Sequence, residues 1–195
     1  MKYNNQQVRI FILCTFLVLA AVAARIINTE THWYSFAPVM AISLFSGAVL
    51  KQKTYAYLLP LAAYFLSDIY IQLFTPYSGF YGISQFFVYA GMVAVTLLGT
   101  RMGQPGALKV LGFSICGSLL FWIISNFGVF LGGYWGTGLA GLSKTYFMAL
   151  PFYTHNGTTF FFNAFAGDLI FSSLLFGAYA LGRKMLPAGG AAAAH

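Results

Sequence analysis

The stretch Tyr55–Phe74, YAYLLPLAAYFLSDIYIQLF, decides the fold class. It has the length of a helix that crosses a bilayer. It holds no basic residue and a single acid, Asp68. A carboxylate inside a spanning helix costs roughly 2.5–3.5 kcal/mol on insertion scales. A partner, a water-filled cavity or a ligand must offset that cost. The other helices are read as the walls of the place where Asp68 finds it. The alternative is a structural hydrogen bond from Asp68 to a neighbouring helix.

The rest of the chain agrees with a membrane setting. Of its 195 residues 59% are hydrophobic and only 7% charged, against about 25% charged in a soluble domain. Such a chain cannot wet its own surface, and an all-α integral membrane protein is expected. The net charge of +7 does not point to nucleic acid, because the basic residues fall in short loops, where they set orientation. Cys14 and Cys116 both lie in apolar runs, so neither a disulfide framework nor a CxxC metal site is present. The tail Ala188–His195, AGGAAAAH, reads as a linker and the remnant of an affinity tag, which leaves residues 1–187 as one membrane domain.

Six transmembrane helices are expected: Val8–Ile27, Val39–Leu50, Tyr55–Phe74, Gln85–Gly99, Val110–Leu131 and Thr158–Leu181. The second is short for a span, so it either begins inside the preceding loop or is shielded by protein. Pro60 is a candidate kink in the third. The segment Gly138–Asn156 reads as a short interfacial helix broken at Pro151. Both termini are placed in the cytoplasm. Lys2, Arg9, Lys51, Lys53, Arg101, Lys109, Arg183 and Lys184 then lie inside, with only Arg25 and Lys144 outside. That asymmetry follows the positive-inside rule.

Depth along the helices groups the polar residues. At 1.5 Å per residue, Asp68 lies about 9 Å below the outer end of its helix, and Asn126 and Asn163 lie at a similar depth on theirs. The expectation is that all three face one outward-facing cavity, against the alternative of three separate helix–helix hydrogen bonds. His32, Trp33, Tyr34, Tyr77, Tyr81, Tyr134, Trp135, Tyr153 and His155 come from outer loops that would roof it. An apolar-walled pocket with a few placed polar groups is the usual form of a small-molecule site. Asp168, deeper in the last helix, is read as structural or gating. No HExxH, P-loop or paired-carboxylate motif is present, so the chain is not expected to be an enzyme and no cofactor is expected.

The segments FAPVMAISLFSGA (36–48), PLAAYFLSD (60–68), SNFGVFL (125–131), ALPFY (149–153) and GDLIFSSLLFG (167–177) look like those of small bacterial membrane proteins of mostly unassigned function. Six helices, inner termini and aromatic outer loops resemble the substrate-binding S-components of energy-coupling-factor vitamin transporters. Ala20 and Ala24 give an AxxxA spacing similar to the one S-components use against their coupling partner. The resemblance implies an S-component-like bundle in the bacterial cytoplasmic (inner) membrane. It implies uptake of a vitamin-like molecule, either with an energy-coupling membrane module and its ATPases as partner or alone by facilitated movement. Asp68, Asn126, Asn163, His32, Tyr81, Trp135 and His155 would bind the substrate. The solitary cobalamin-uptake type is the nearest in look, which makes a corrinoid the first candidate and His32 or His155 its cobalt ligand. The competing reading is a structural or assembly membrane protein with no transported ligand.

Overall fold

The computed structural model describes residues 5–31, 38–150 and 160–185. The described residues form seven helices and no strand: α1 (Asn5–Thr31), α2 (Val39–Val49), α3 (Lys53–Phe74), α4 (Ile83–Thr100), α5 (Ala107–Leu131), α6 (Gly138–Met148) and α7 (Phe160–Met185). Within them, Lys53–Phe74, Ile83–Thr100, Ala107–Leu131 and Phe162–Leu181 are long and apolar enough to cross a membrane.

The distribution of polarity is the inverse of a soluble protein's. Phe74, Phe86, Leu108 and Leu174 are exposed, while Ser43, Ser46, Ser67, Asp68, Gln85, Thr96, Ser114, Ser118 and Asp168 are buried. Polar groups turned inward and large apolar groups turned outward suit a lipid surround. Several buried hydroxyls are quenched within their own helix. Ser43 donates to Val39 O at 2.9 Å, and Thr96 to Met92 O at 2.9 Å. Such back-bonding hides the hydroxyl inside an apolar interior.

The shortest of the core helices lies at the centre. α2 packs against α1, α3, α4, α5 and α7. Every residue from Val39 to Gly47 is buried. With 11 residues it is about 16 Å long, half the hydrocarbon thickness. Of the two alternatives for this segment, protein shielding is the one observed.

Two local devices let α2 sit there. The first is close backbone approach to α4. A Cβ on Gly47 would lie 2.1 Å from Thr96 O, and one on Gly99 would lie 2.3 Å from Leu44 O. Only glycine permits that crossing, the usual role of small residues between membrane helices. The second involves Pro60, which sits inside α3. Proline has no N–H, so Ala56 O loses the donor it would have had four residues on. The Ser46 hydroxyl of α2 supplies one, donating to Ala56 O at 2.8 Å. The cost of the proline is thus repaired from the neighbouring helix, and α3 continues through it.

Two sequence expectations change here. α1 runs to Thr31, past the expected end at Ile27. Arg25, counted with the outer charges at the end of its expected helix, instead forms an ion pair with buried Asp68 from α1. The short helix near the expected interfacial segment ends at Met148. The break at Pro151, the roof residues His32, Trp33, Tyr34, Tyr153 and His155, and the tail 188–195 lie outside the described residues.

Candidate functional site

A cavity of about 700 Å³ opens at one end of the bundle. The C-terminal half of α5, the N-terminal ends of α4 and α7, α6 and the turns beside them form its walls. Phe121, Trp122, Tyr134, Trp135, Phe165 and Tyr81 give it aromatic faces. Its polar lining is sparse: Ser84, Ser118, Ser125, Asn126, Thr145 and Asp168.

Local sequence explains the placement of these walls. Gly82, at φ +69°, sets the turn into α4. Ser84 then donates to Gly128 O of α5 at 3.1 Å. Gly91 and Gly128 admit the rings of Phe121 and Phe87, since a Cβ on them would lie 2.7 and 2.5 Å from those side chains. α6 is hung on α5 by two bonds. Trp122 Nε1 donates to Ala149 O at 2.9 Å, and Tyr146 OH donates to Ile123 O at 2.8 Å. Trp122 and Tyr146 also meet edge to face, 5.3 Å apart. At the mouth, Lys144 Nζ stands 5.4 Å from the centre of the Trp135 ring.

The polar lining is largely committed to the protein on its donor side. Asn126 Nδ2 donates to Trp122 O at 2.8 Å, and Thr145 Oγ1 to Gly141 O at 2.8 Å. Ser118 Oγ donates to Asp168 Oδ2 at 2.6 Å. Asp168 is 5% exposed. No ion pair to it occurs among the described residues.

A second polar cluster lies beside the cavity, outside its lining. Asp68 is 0% exposed. Arg25 of α1 forms an ion pair with Asp68 Oδ1. Gln85 Nε2 and Tyr89 OH of α4 each donate to Oδ2 at 2.8 Å. The guanidinium also donates to Ser67 Oγ at 2.7 Å and Tyr64 O at 3.2 Å, and lies 3.7 Å over the Tyr64 ring. Tyr64 OH meets Tyr81 OH at 3.0 Å. Tyr81 is therefore shared: it faces the cavity and buttresses the ion-pair cluster. Burial, and then the neighbouring Tyr64, push its phenol above the ordinary value, so it stays neutral. The turn that carries it is held down by Gly79, where an added Cβ would lie 2.0 Å from Asp68 O.

The sequence expectation of one cavity shared by Asp68, Asn126 and Asn163 is corrected in part. Asn126, Tyr81 and Trp135 line the cavity. Asp68 does not; its carboxylate is taken up by Arg25, Gln85 and Tyr89. Asn163, half-buried on α7, is also outside the lining. His32 and His155 lie outside the described residues. Depth alone could not separate these cases, because equal depth does not fix which face of a helix a residue occupies. Asp168, read from the sequence as structural or gating, lines the cavity, as does Ser118, which the sequence reading did not single out. A signal for Ser118 existed: Ser114, Ser118 and Ser125 recur on one face of α5 at helical spacing.

Among the described residues, an all-helical architecture with four apolar helices of membrane length is the class these features define. Residues 4–189 match DUF6580, described as a family of unknown function, and the chain belongs to that family. No curated protein and no solved structure matches it.

Proposed function

We propose that this chain is a multi-pass membrane protein that binds a vitamin-sized molecule in the cavity and takes part in its uptake. One observation carries the reading: a cavity of about 700 Å³ with aromatic walls and few polar groups. That volume lies within the roughly 300–1,000 Å³ of small-molecule sites. In this reading the chain crosses the membrane six times with both termini cytoplasmic, α2 serving as a return limb shielded by its neighbours. The cavity then faces outward.

A second cavity of about 550 Å³ supports movement rather than binding alone. It lies along the same two helices, α5 and α7, toward their other ends, lined by Val110, Ser114, Ser173 and Phe176. Ser118 and Asp168 stand between the two openings. Ser114 and Ser172, one turn further along each helix, are buried without hydrogen-bond partners among the described residues. No P-loop occurs in the sequence, so an ATP-driven step would come from a separate energy-coupling module. The Ala20 and Ala24 spacing is half-buried in the bundle, which leaves less of it for such a partner. A corrinoid with its nucleotide arm is larger than a drug-sized ligand, so the volume favours a smaller vitamin over cobalamin.

The competing structural role draws support from Asp68, whose partners are all internal. Ligand-dependent melting separates the two. Small molecules extracted from the purified protein would be identified by mass spectrometry and added back. A ligand at 100 times its Kd raises stability by about 2.7 kcal/mol. That gain should shrink in Asn126→Ala. No co-purifying molecule, and no stabilisation across a vitamin panel, would leave the structural reading standing.

A further inference from the structure

Resting on the cavity reading above, we infer that the ligand is an organic cation, an amine or a positively charged heteroaromatic ring, seated on Asp168 between aromatic faces. The argument is one of balance. Asp168 is the one charged side chain among the cavity's described lining residues. It is 95% buried, since its exposure is 5%. Its hydrogen bond comes from Ser118 to Oδ2, and no described lysine or arginine lines the cavity to neutralise it. A carboxylate buried without an opposite charge is costly in a protein or membrane interior. Asp68 shows how this chain meets that cost elsewhere, with a buried arginine. At Asp168 the place of that arginine is open to the cavity.

The remaining lining fits the same ligand. Ser84, Trp122, Asn126 and Thr145 each donate to protein oxygens. Ser84 and Thr145 keep hydroxyl acceptor capacity, and Asn126 keeps its carbonyl oxygen and one N–H, which suits a molecule that donates N–H bonds. Phe121, Trp122 and Phe165 offer ring faces, and ring faces attract cations most strongly where water is excluded. An anion would meet a carboxylate and aromatic faces, with no base among the described lining residues.

The test uses the whole protein in nanodiscs and three water-soluble probes of similar size: protonated N,N-dimethyl-2-phenylethylamine, whose ammonium keeps one N–H, N,N-dimethyl-2-phenylacetamide and phenylacetate. Quenching of tryptophan fluorescence, with Trp122 and Trp135 in the wall, reports binding. The cation should bind at least about ten-fold more tightly than the other two, the low end of a charge-assisted contact. Asp168→Asn should weaken the cation by at least about ten-fold more than the amide, so that the preference is lost. Phe121→Leu should weaken the cation more than the amide. Melting of each unliganded variant shows that it is folded, and Asp168→Glu, which keeps the charge, should retain the preference if Asp168→Asn fails to fold. Equal or tighter binding of the amide or the anion overturns the cation inference but leaves the cavity as a binding site. Binding of none of the three overturns the cavity reading as well.

Discussion

Arg25, Gln85 and Tyr89 converge on the Asp68 carboxylate from two helices, and each is held in turn by other groups. Removing one partner of a buried ion pair leaves the other uncompensated, at a cost of about 3–5 kcal/mol. Asp68→Asn should therefore melt well below wild type, and so should Arg25→Gln. An apolar double replacement, Arg25→Met with Asp68→Leu, should recover much of the loss. Whatever folds should keep its cavity affinity, because Asp68 does not line the cavity. Single variants that melt like wild type would show the pair to be unimportant for folding. Asp168 should behave in the opposite way: Asp168→Asn alters ligand preference first.

Helix α3 keeps its course through Pro60 because α2 supplies a hydroxyl where the proline withholds an N–H. Leaving a buried carbonyl without a donor costs about 1–3 kcal/mol. Ser46→Ala should lose stability in that range. In a Pro60→Ala background the helix regains its own N–H, so the same Ser46→Ala change should cost much less. Thermal melts of the four proteins give the coupling directly; equal losses in both backgrounds would refute the repair. The α2–α4 crossing allows no such exchange. Gly47→Ala would set a methyl 2.1 Å from a carbonyl oxygen of the neighbouring backbone, so the helices must part and the melting temperature fall.

Across the whole bundle, orientation follows the basic residues. In the proposed topology, with both termini cytoplasmic and Arg25 paired to Asp68, eight basic residues are assigned to the inner side and only Lys144 to the outer one. In a variant with Cys14 and Cys116 replaced, an impermeant thiol reagent applied to intact cells should label Ser78→Cys and Tyr134→Cys. It should spare Gln52→Cys and Gln104→Cys. All four positions are exposed, so differences in labelling report sidedness rather than burial. The reverse pattern would turn the 700 Å³ cavity toward the cytoplasm and remove the uptake reading.

Hydropathy, charge placement and the turn residues of the sequence were enough for an all-helical fold, the long apolar helices and the shielding of α2 as one of two alternatives. These are local properties: a run of apolar residues needs its backbone bonds closed internally wherever it sits in lipid. The sequence also showed that Asp68 required compensation, and that Asn126, Tyr81 and Trp135 belonged near a pocket. It could not show which group compensates Asp68, because Arg25 lies 43 residues away and was counted only among the outer charges near the end of its helix. Nor could it separate the two acids. Asp68 and Asp168 are the same residue type inside apolar helices, but one meets a guanidinium and the other a serine at a cavity wall. That difference is set by the rotation and packing of whole helices against one another, which only the tertiary structure decides.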